Sequence, residues 1–562
     1  MSEKKMIVAW TGDANMFPAI SVKTTRRNMT GSWRYMRPFY RSLTPPCNRD
    51  CPAGNDIRGF IKSALDGKYD DALEIIFETS PFPSVCGRVC YHPCETQCNR
   101  GFYDESISIH SIERYIGEQD FDIKKFLPEK NIRMTKKRVA IIGSGPAGLS
   151  CAYHLAKNGI DSTVFESMPK AGGMLYYGIP SYRLPKDILE KEIDRIRELG
   201  VKIQTNTRVN SEMFDELREE YDALFVGIGA HLEQKMSIQG EDLKGVSSGL
   251  KFLKEINAGK NVEISGTLIV VGGGNTAMDV ARSAKRMGVK SLVVYRRSEA
   301  EMPAHPDEVK EARDEGIEFH FLSAPIRYMG QKERVTSVEI QRMELGDPDE
   351  SGRRRPVPIP GDTYIMDADF VMTAIGERPE LDPVANHLKL QWNRVYRDQE
   401  GQTSMEGVFC GGDAGVNPGG TVVDAIGEGR RAAFSIQAYL TGEPSKFVDY
   451  PPKSADFETL NQDYFTPSPR MKPPELPVSK RNDFREVVAP VDEDTMKKEA
   501  QRCFYCGDCN LCLTCFKFCP DAAIKQMEDG RLEIDLDYCK GCGICVTECP
   551  RNAMELEEER NA

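Results

Sequence analysis

Arg138-Val139-Ala140-Ile141-Ile142 runs straight into Gly143-Ser144-Gly145-Pro146-Ala147-Gly148, and the helical pattern LSCAYHLAKNG follows. The apolar residues read as a buried strand of a parallel sheet. A second strand, STVFE, ends at Glu166, eighteen residues after Gly148. Strand, glycine turn, helix and acid together make a complete dinucleotide fingerprint. The first glycine makes the tight turn, the second lets backbone approach a pyrophosphate, and the third lets helix and strand pack. The helix N-terminus attracts phosphate, and Glu166 can take a ribose hydroxyl pair. Cys151, just inside the helix, reads as a small packing residue. No CxxC or CxxxxC lies in this stretch to serve a dithiol mechanism.

The theme repeats downstream. Thr267-Leu-Ile-Val-Val271 precedes Gly272-Gly273-Gly274-Asn275-Thr276-Ala277 and the helical MDVARSAKRMG. Ala277 stands where the third glycine would, which the fingerprint allows. The next strand, SLVVY, ends near Tyr295, and Arg296 and Arg297 follow in place of an acid. Arginines there can pair with the extra phosphate of NADP, whereas a carboxylate would favour NAD. NADPH is therefore the expected donor, with NADH left open. Two such units in one chain imply flavin plus nicotinamide, whose rings must stack away from water for hydride transfer.

Eighteen cysteines are distributed unevenly: six between Cys47 and Cys98, ten between Cys503 and Cys549, with Cys151 and Cys410 alone. In a long chain such clustering means metal rather than disulfides. Cys509-x2-Cys512-x2-Cys515-x3-Cys519-Pro520 is the bacterial ferredoxin run, and Cys539-x2-Cys542-x2-Cys545-x3-Cys549-Pro550 repeats it. The fourth cysteine of each run ligates the other cluster. One cluster is thus assigned Cys509, Cys512, Cys515 and Cys549, and the other Cys539, Cys542, Cys545 and Cys519. A zinc site would use separated pairs of ligands.

Composition excludes several classes. The 562 residues carry a net charge of −12, with 40% hydrophobic and 28% charged residues, as in a globular enzyme of several domains. The acidity argues against non-specific nucleic-acid binding. No apolar run approaches the ~18 residues of a membrane span. The N-terminal MSEKKMIVAWTGDANMF lacks a leader pattern, and no apolar region follows Arg26–Arg27, so a cytoplasmic location is expected.

Together the motifs resemble the glutamate synthase small-subunit family of iron–sulfur flavoproteins. The same module occurs in the N-terminal part of dihydropyrimidine dehydrogenase and in electron-bifurcating transhydrogenases. The resemblance spans residues 40–445. It rests on Cys47-x3-Cys51-Pro, Gly87-Arg-Val-Cys90, Cys94-x3-Cys98, both glycine loops, Gly178-Ile-Pro-x2-Arg183-Leu-Pro-Lys186, Tyr295-Arg-Arg with Met302-Pro303, and Gly411-Gly412-Asp413 with Gly420-Thr421. It implies FAD at the first site, with Asp413 near the ribityl chain and the segment around Thr421 near the isoalloxazine. Further FAD contacts carried over are Gly173, Arg183, Val209, Gly412 and Val422. It implies NADPH at the second site and two [4Fe–4S] clusters in an N-terminal helical domain.

There is one departure. The family carries RCxxCG just before the position of Cys47, where this chain reads FYRSLTPP; Arg502-Cys503-Phe-Tyr-Cys506-Gly507 supplies that pattern near the other end. The C-terminal segment is therefore expected to fold back. By the family match one cluster takes Cys51, Cys90, Cys94 and Glu113, within ISIHSIERYIGE. The other takes Cys47, Cys98, Cys503 and Cys506. With the ferredoxin pair this makes four [4Fe–4S] clusters held by fifteen cysteines and Glu113, leaving over Cys86, Cys151 and Cys410, with Cys86 the rival ligand. The TGSWRYMRP entry and the fused ferredoxin are similar to a narrower branch, the NAD(P)H:acceptor iron–sulfur flavoproteins that accompany dissimilatory sulfite reductase. Similar fused subunits serve 2-oxoacid:ferredoxin oxidoreductases.

The expected fold class is α/β: two nested Rossmann-like FAD and NAD(P) domains, an N-terminal α-helical Fe–S domain and a C-terminal α+β bacterial ferredoxin domain. The expected divisions are 1–135 (helical Fe–S), 136–250 (FAD, first part), 251–367 (NAD(P)H), 368–445 (FAD, second part), 446–490 (linker) and 491–562 (ferredoxin with the back-folded cysteines). Seven prolines between Pro451 and Pro477 favour extended backbone in the linker. The acidic end, ELEEER, is expected to be a solvated terminus. The expected function is electron transfer from NADPH through FAD and four clusters to, or reversibly from, a redox protein partner or ferredoxin-dependent enzyme, with a homodimer left open. Hydride transfer is the cofactors' chemistry, so no general acid or base is named. Two other readings stand beside it: a non-catalytic electron-wiring subunit of a larger complex, and a flavin-based electron-bifurcating subunit. Glutamate synthesis by this chain alone is not expected, for want of length for an amidotransferase or FMN barrel.

Overall fold

A computed structural model describes residues 29–126, 136–350, 352–447 and 454–559. The leader reading and Arg26–Arg27 fall outside these residues, as do Pro451, Pro452 and Arg560.

Arg138–Ile142 is the central strand of a five-stranded parallel sheet. Ala223–Val226 and Asp161–Phe165 flank it, with Val408–Cys410 and Lys202–Gln204 at the edges. Val139 to Ile142 are all buried, as expected of a parallel strand covered on both faces. The helices Pro146–Lys157 and Val422–Thr441 pack closely because Gly429 carries no side chain: a Cβ there would lie 2.1 Å from the Ala147 carbonyl oxygen. The edge strand Val408–Cys410 arrives only after a second sheet has been completed, so the two units are nested.

The second sheet centres on Thr267–Val271. Lys290–Val294 and Glu318–His320 lie to one side, Phe370–Thr373 and Val246–Ser248 to the other, all parallel. The expected divisions at 250 and 367 therefore cut through this unit. Leu268 to Val271 are buried, so the central strand needs a hydrogen-bonded partner on each edge; Phe370–Thr373, from beyond 367, supplies one of them and is itself paired by Val246–Ser248, from before 250. The chain enters and leaves through the antiparallel pair Leu232–Glu233 and Glu377–Arg378. A three-stranded antiparallel sheet, Ser323–Gln331, Arg334–Pro348 and Arg354–Asp367, grows from the same unit.

The N-terminal region is helical over Ile57–Leu65, Tyr69–Phe77, Pro83–Val89 and Ile109–Gly117, around Phe60, Leu73, Phe77, Val85 and Ile112. The last two helices touch backbone to backbone. A Cβ on Gly87 would meet Arg114 at 2.6 Å, and one on Gly117 would meet the Ser84 nitrogen at 2.7 Å. The C-terminal helix Glu493–Gln501 packs on Ile57–Leu65 and on Ile109–Gly117. The proline-rich stretch lies extended along this surface. Ala455 N–H donates to Thr44 (3.0 Å) and Val487 N–H to Tyr182 (3.0 Å).

Two expectations are corrected at the C-terminus. Met36–Tyr40, assigned to the helical region, pairs antiparallel with Met554–Glu558 of the ferredoxin. The acidic end is therefore a strand and not a solvated tail. Glu559, Glu557 and Glu555 pair with Arg34, Arg37 and Arg41, each at 2.5 Å. Strand alternation puts the three glutamates on one face, and a cross-strand row of arginines neutralises them. Among the described residues no helix is long and apolar enough to cross a membrane.

Gly427 of the helix Val422–Thr441 has no room for a side chain, since its Cβ would sit 2.0 Å from the carbonyl oxygen of Pro52, beside Cys51. Gly427→Ala is expected to cost about 1–3 kcal/mol through overpacking, read as a lower thermal midpoint. An unchanged midpoint would mean that this helix does not brace the cysteine loop.

Candidate cofactor and iron–sulfur sites

The first glycine loop has the geometry of a phosphate cradle. Gly143 has φ +101, and a Cβ on Gly148 would lie 2.0 Å from the Gly143 carbonyl oxygen. Gly145 faces open space, with nothing within 4 Å of a Cβ, and Pro146 starts the helix. The donors therefore fit a pyrophosphate that approaches backbone at Gly145. Glu166 is buried and accepts from the backbone N–H of Ser144 (3.0 Å) and Met168 (2.7 Å) and from the Ser144 hydroxyl (2.5 Å). Ser144, a variable position of the motif, was not singled out by the sequence; its role is to hold the acid in place. Gly173 backs this loop, its Cβ position lying 2.8 Å from Gly145 Cα. On the far side Gly412 N–H donates to Glu428 (2.6 Å), Arg394 donates to the Asp413 carbonyl, and Thr421 caps the helix that Val422 begins. Burial pushes the Asp413 carboxyl above its ordinary value. Val209 is buried in the same core as Ile142 and Ala414.

Arg183, expected at the flavin, is committed elsewhere. Its guanidinium reaches Asp279 (2.9 Å) and Glu308 (2.6 Å) of the nucleotide unit, and all three side chains are largely buried. It fixes one nested unit against the other.

At the second loop Gly272 has φ +146, and Gly273 lies under the Tyr295 ring, 2.5 Å from a would-be Cβ. Gly274 is open apart from Pro303 at 4.0 Å. Asn275 accepts from His305 N–H (2.9 Å), Thr276 donates to Glu377 (3.4 Å), and Ala277 is fully buried. The two arginines differ. Arg297 is buried, ion-paired to Asp349 (2.5 Å) and hydrogen-bonded to the Arg354 carbonyl (2.8 Å). Arg296 is exposed.

The cysteines gather into groups. All eighteen are free thiols. Burial pushes the Cys47 thiol well above its ordinary value, and its neighbours Cys98, Cys503 and Cys506 push the same way. Burial also takes Cys503 and Cys506 to about 12, with Cys98 close to both. The two ends of the chain thus meet. Arg58 donates to the carbonyls of Leu43 and Cys506, 2.8 Å each, and Asn99 donates to Cys506 Sγ (3.3 Å). A second group holds Cys51, Cys90, Cys94 and Glu113. Burial raises Cys51 to about 11, with Glu113 pushing the same way; it raises Cys90 and Cys94 well above their ordinary value, with Cys51 adding to both. Burial, with Glu192 and Glu95, pushes Glu113 up to about 8, and Asn55 donates to it (3.4 Å). Cys86 sits in this group too, against Glu113 and Cys90, so five donors surround one core. Cys151 and Cys410 are buried packing residues away from either group.

In the ferredoxin, Cys515 is pushed up to about 11 by burial, with Cys509, Cys512 and Cys549 around it. Cys545 is pushed up to about 12 by burial and has Cys539, Cys519 and Cys542 among its neighbours. Cys549 thus neighbours Cys515 of the first run, and Cys519 neighbours Cys545 of the second. A zinc ion bound by thiolates at ~2.3 Å would bring the sulfurs to ~3.8 Å of one another. Among the described residues only His92, Glu95 and His110 place three such donor atoms within 4.8 Å of one another, and no trio of thiols does. That trio is itself occupied: His110 Nδ1 meets Glu95 (2.8 Å), and Arg470 pairs with the same carboxylate.

A family model described as pyridine nucleotide-disulphide oxidoreductase matches residues 137–429. A second, dihydropyrimidine dehydrogenase domain II, 4Fe-4S cluster, matches 40–125, and a 4Fe-4S binding domain matches 532–555. The chain is 40% identical over 511 residues to the NADP(+)-dependent formate dehydrogenase subunit beta of Moorella thermoacetica, covering 84% of this chain and 71% of that one. It is 41% identical over 434 residues to the NADPH-Fe(3+) oxidoreductase subunit beta of Geobacter sulfurreducens, covering 72% of this chain and 64%, under two thirds, of that one. It is 37% identical over 419 residues to the glutamate synthase [NADPH] small chain of Halomonas elongata, covering 70% and 88%.

The contrast between the two arginines is testable. Arg296→Ala is expected to raise KM for NADPH by about tenfold through loss of a charge-assisted contact, with NADH unaffected. Arg297→Ala is expected to lower the thermal midpoint without changing the NADPH-to-NADH preference. Steady-state kinetics with both nucleotides checks this, and an unchanged preference in Arg296→Ala counts against the assignment.

Proposed function

We propose, from the premise that this chain belongs to the pyridine nucleotide-disulphide oxidoreductase family, that it links NADPH to a separate redox protein through FAD and four [4Fe–4S] clusters. The chain is an NADPH-dependent flavin and iron–sulfur oxidoreductase. When bound, FAD accepts a hydride and gives up electrons singly, and the clusters carry them one at a time.

What the chain itself does is hold and insulate. Gly145 and the N–H groups that open the helix Pro146–Lys157 would hold the flavin pyrophosphate, and Glu166 the ribose. Gly274 and Arg296 would hold NADPH. Arg183 sets the two units against each other across their seam. Cys51, Cys90, Cys94 and Glu113 would hold one cluster, and Cys47, Cys98, Cys503 and Cys506 the next. In the ferredoxin, Cys509, Cys512, Cys515 and Cys549 would hold the third, and Cys519, Cys539, Cys542 and Cys545 the fourth. Binding takes thiolates and the Glu113 carboxylate, so loading releases protons that burial otherwise keeps in place.

The observation that carries this reading is the meeting of Cys503 and Cys506 with Cys47 and Cys98. Two of the similar proteins are named as beta subunits of NADP-linked redox enzymes, and we read this chain likewise as one subunit of a larger assembly. A dissimilatory sulfite reductase or a 2-oxoacid:ferredoxin oxidoreductase is the partner we propose. Eighteen unpaired cysteines fit a reducing compartment, the cytoplasm.

The test is an iron count. Replacing Cys503 and Cys506 together by Ser is expected to remove about four irons per chain, one cubane, while FAD content holds. Retention of all the iron would sink the shared cluster.

A further inference from the structure

The cysteine spacing orders the relay, and that order points to an exit. This inference rests on the four-cluster reading above. Cys47-x3-Cys51 and Cys94-x3-Cys98 join the first two groups, Cys506-x2-Cys509 joins the second to the third, and Cys515-x3-Cys519 and Cys545-x3-Cys549 join the third to the fourth. The group of Cys519, Cys539, Cys542 and Cys545 therefore lies at the end of the line. Cys542 is exposed.

Cys512, on the third group, is exposed too, but its surroundings differ. It lines a cavity of about 900 Å³ shared with Cys503, between helical and ferredoxin regions, whose wall includes Lys472, Lys498 and Arg551. That opening is basic and lies inside the relay. The surface at Cys542 is aromatic and acidic.

The N-terminal strap builds it. Gly31 N–H donates to the Asp537 carbonyl (2.9 Å), and Arg34 donates to the carbonyls of Leu536 (2.5 Å) and Cys539 (3.0 Å). Gly541, next to Cys542, presses on Met36, with 2.0 Å from a would-be Cβ to the Met36 carbonyl. Held in this way, Trp33 is 59% exposed and Tyr35 86%, and Leu536 and Ile544 of the ferredoxin are exposed at 37% each. Large aromatics left in water on a rigid strap next to a redox ligand have the character of interface anchors. Around them the charge is one-sided. From Asp508 to Glu559 twelve carboxylates face five cations; Arg34, Arg37 and Arg41 pair with three of the twelve, Glu559, Glu557 and Glu555, and four carboxylates remain in excess.

We propose that Trp33, Tyr35, Leu536 and Ile544, next to Cys542, form the docking face for a one-electron carrier protein with a basic rim around its own redox centre. Opposite charge steers such a partner into place, and the aromatics hold it within electron-transfer distance of the last group.

The test uses the full chain loaded with FAD and clusters, NADPH as donor, and two acceptors: cytochrome c as a basic haem protein, and dichlorophenolindophenol as a small dye. Wild type is expected to reduce cytochrome c with a kcat/KM that falls about tenfold from low to physiological salt. The double variant Trp33→Ala, Tyr35→Ala is expected to lose about tenfold or more in kcat/KM for cytochrome c, with dye rate, iron content and gel-filtration volume unchanged. A loss under about twofold overturns the docking face. A changed elution volume gives the face to a second copy of the chain and likewise overturns it. A wild type that reduces the dye but not cytochrome c overturns the charge assignment. Failure with both acceptors overturns the reading on which the inference rests.

Discussion

Four buried thiols from opposite ends of the chain, Cys47, Cys98, Cys503 and Cys506, sit together, and the rest of the molecule has to permit it. Joining sites some 400 residues apart is cheaper than it looks. Each doubling of loop length adds only about 0.6 kcal/mol, so replacing a local loop by a whole enzyme costs ~3–4 kcal/mol. Hydrogen bonds worth about 0.5–1.5 kcal/mol each offset this. Arg58 to the Cys506 carbonyl, Arg100 to the Arg502 carbonyl, Ser108 N–H to Glu499, and Asn99 to Cys506 Sγ are all drawn across the junction. Arginine suits the role because one planar group can bridge two carbonyls from distant segments.

This junction also explains why the ferredoxin is not a loose appendage. Cys503-x2-Cys506-x2-Cys509 leaves two residues between donors of one group and donors of the next, so the back-folded segment and the ferredoxin cannot drift apart. The strand Met36–Tyr40 closes the loop from the other side by pairing with Met554–Glu558. The domain is held by covalent spacing at one end and by a β-ladder with three arginine–glutamate pairs at the other.

Much of this was legible from spacing. The glycine loops, the ferredoxin runs and the displaced cysteine pair are local patterns whose chemistry dictates residue type and interval, and in the fold each glycine loop joins a buried strand to a helix. What escaped is non-local. Nothing in MRPFY says that its partner strand lies more than 500 residues away, and nothing in ELEEER distinguishes a solvated tail from a strand awaiting arginines. The sheet divisions were misplaced for a similar reason: short strands such as Val246–Ser248 and Phe370–Thr373 are assigned by their neighbours, not by their own residues. Arg183 and Arg297 show the same limit at single positions. The resemblance makes Arg183 a flavin contact and Arg297 reads as a phosphate partner, and the fold shows the acids that hold them, Asp279 and Glu308 for the first and Asp349 for the second.

Those acids matter for coupling the two halves of the enzyme. Asp279 lies on the helix that follows the second glycine loop, and Arg183 on the segment that follows the first, so their ion pair fixes the two cradles relative to each other. The same seam reaches the iron–sulfur region. Tyr91, between Cys90 and His92, stacks on His305 with ring centres 5.1 Å apart, and His305 N–H is held by Asn275 of the nucleotide loop. Burial pushes the Tyr91 hydroxyl up to about 12, so this ring stays neutral beside the thiols. A cysteine loop, a flavin cradle and a nicotinamide cradle therefore share one buried boundary, and their relative positions are set by a single network of side chains rather than by three separate domains.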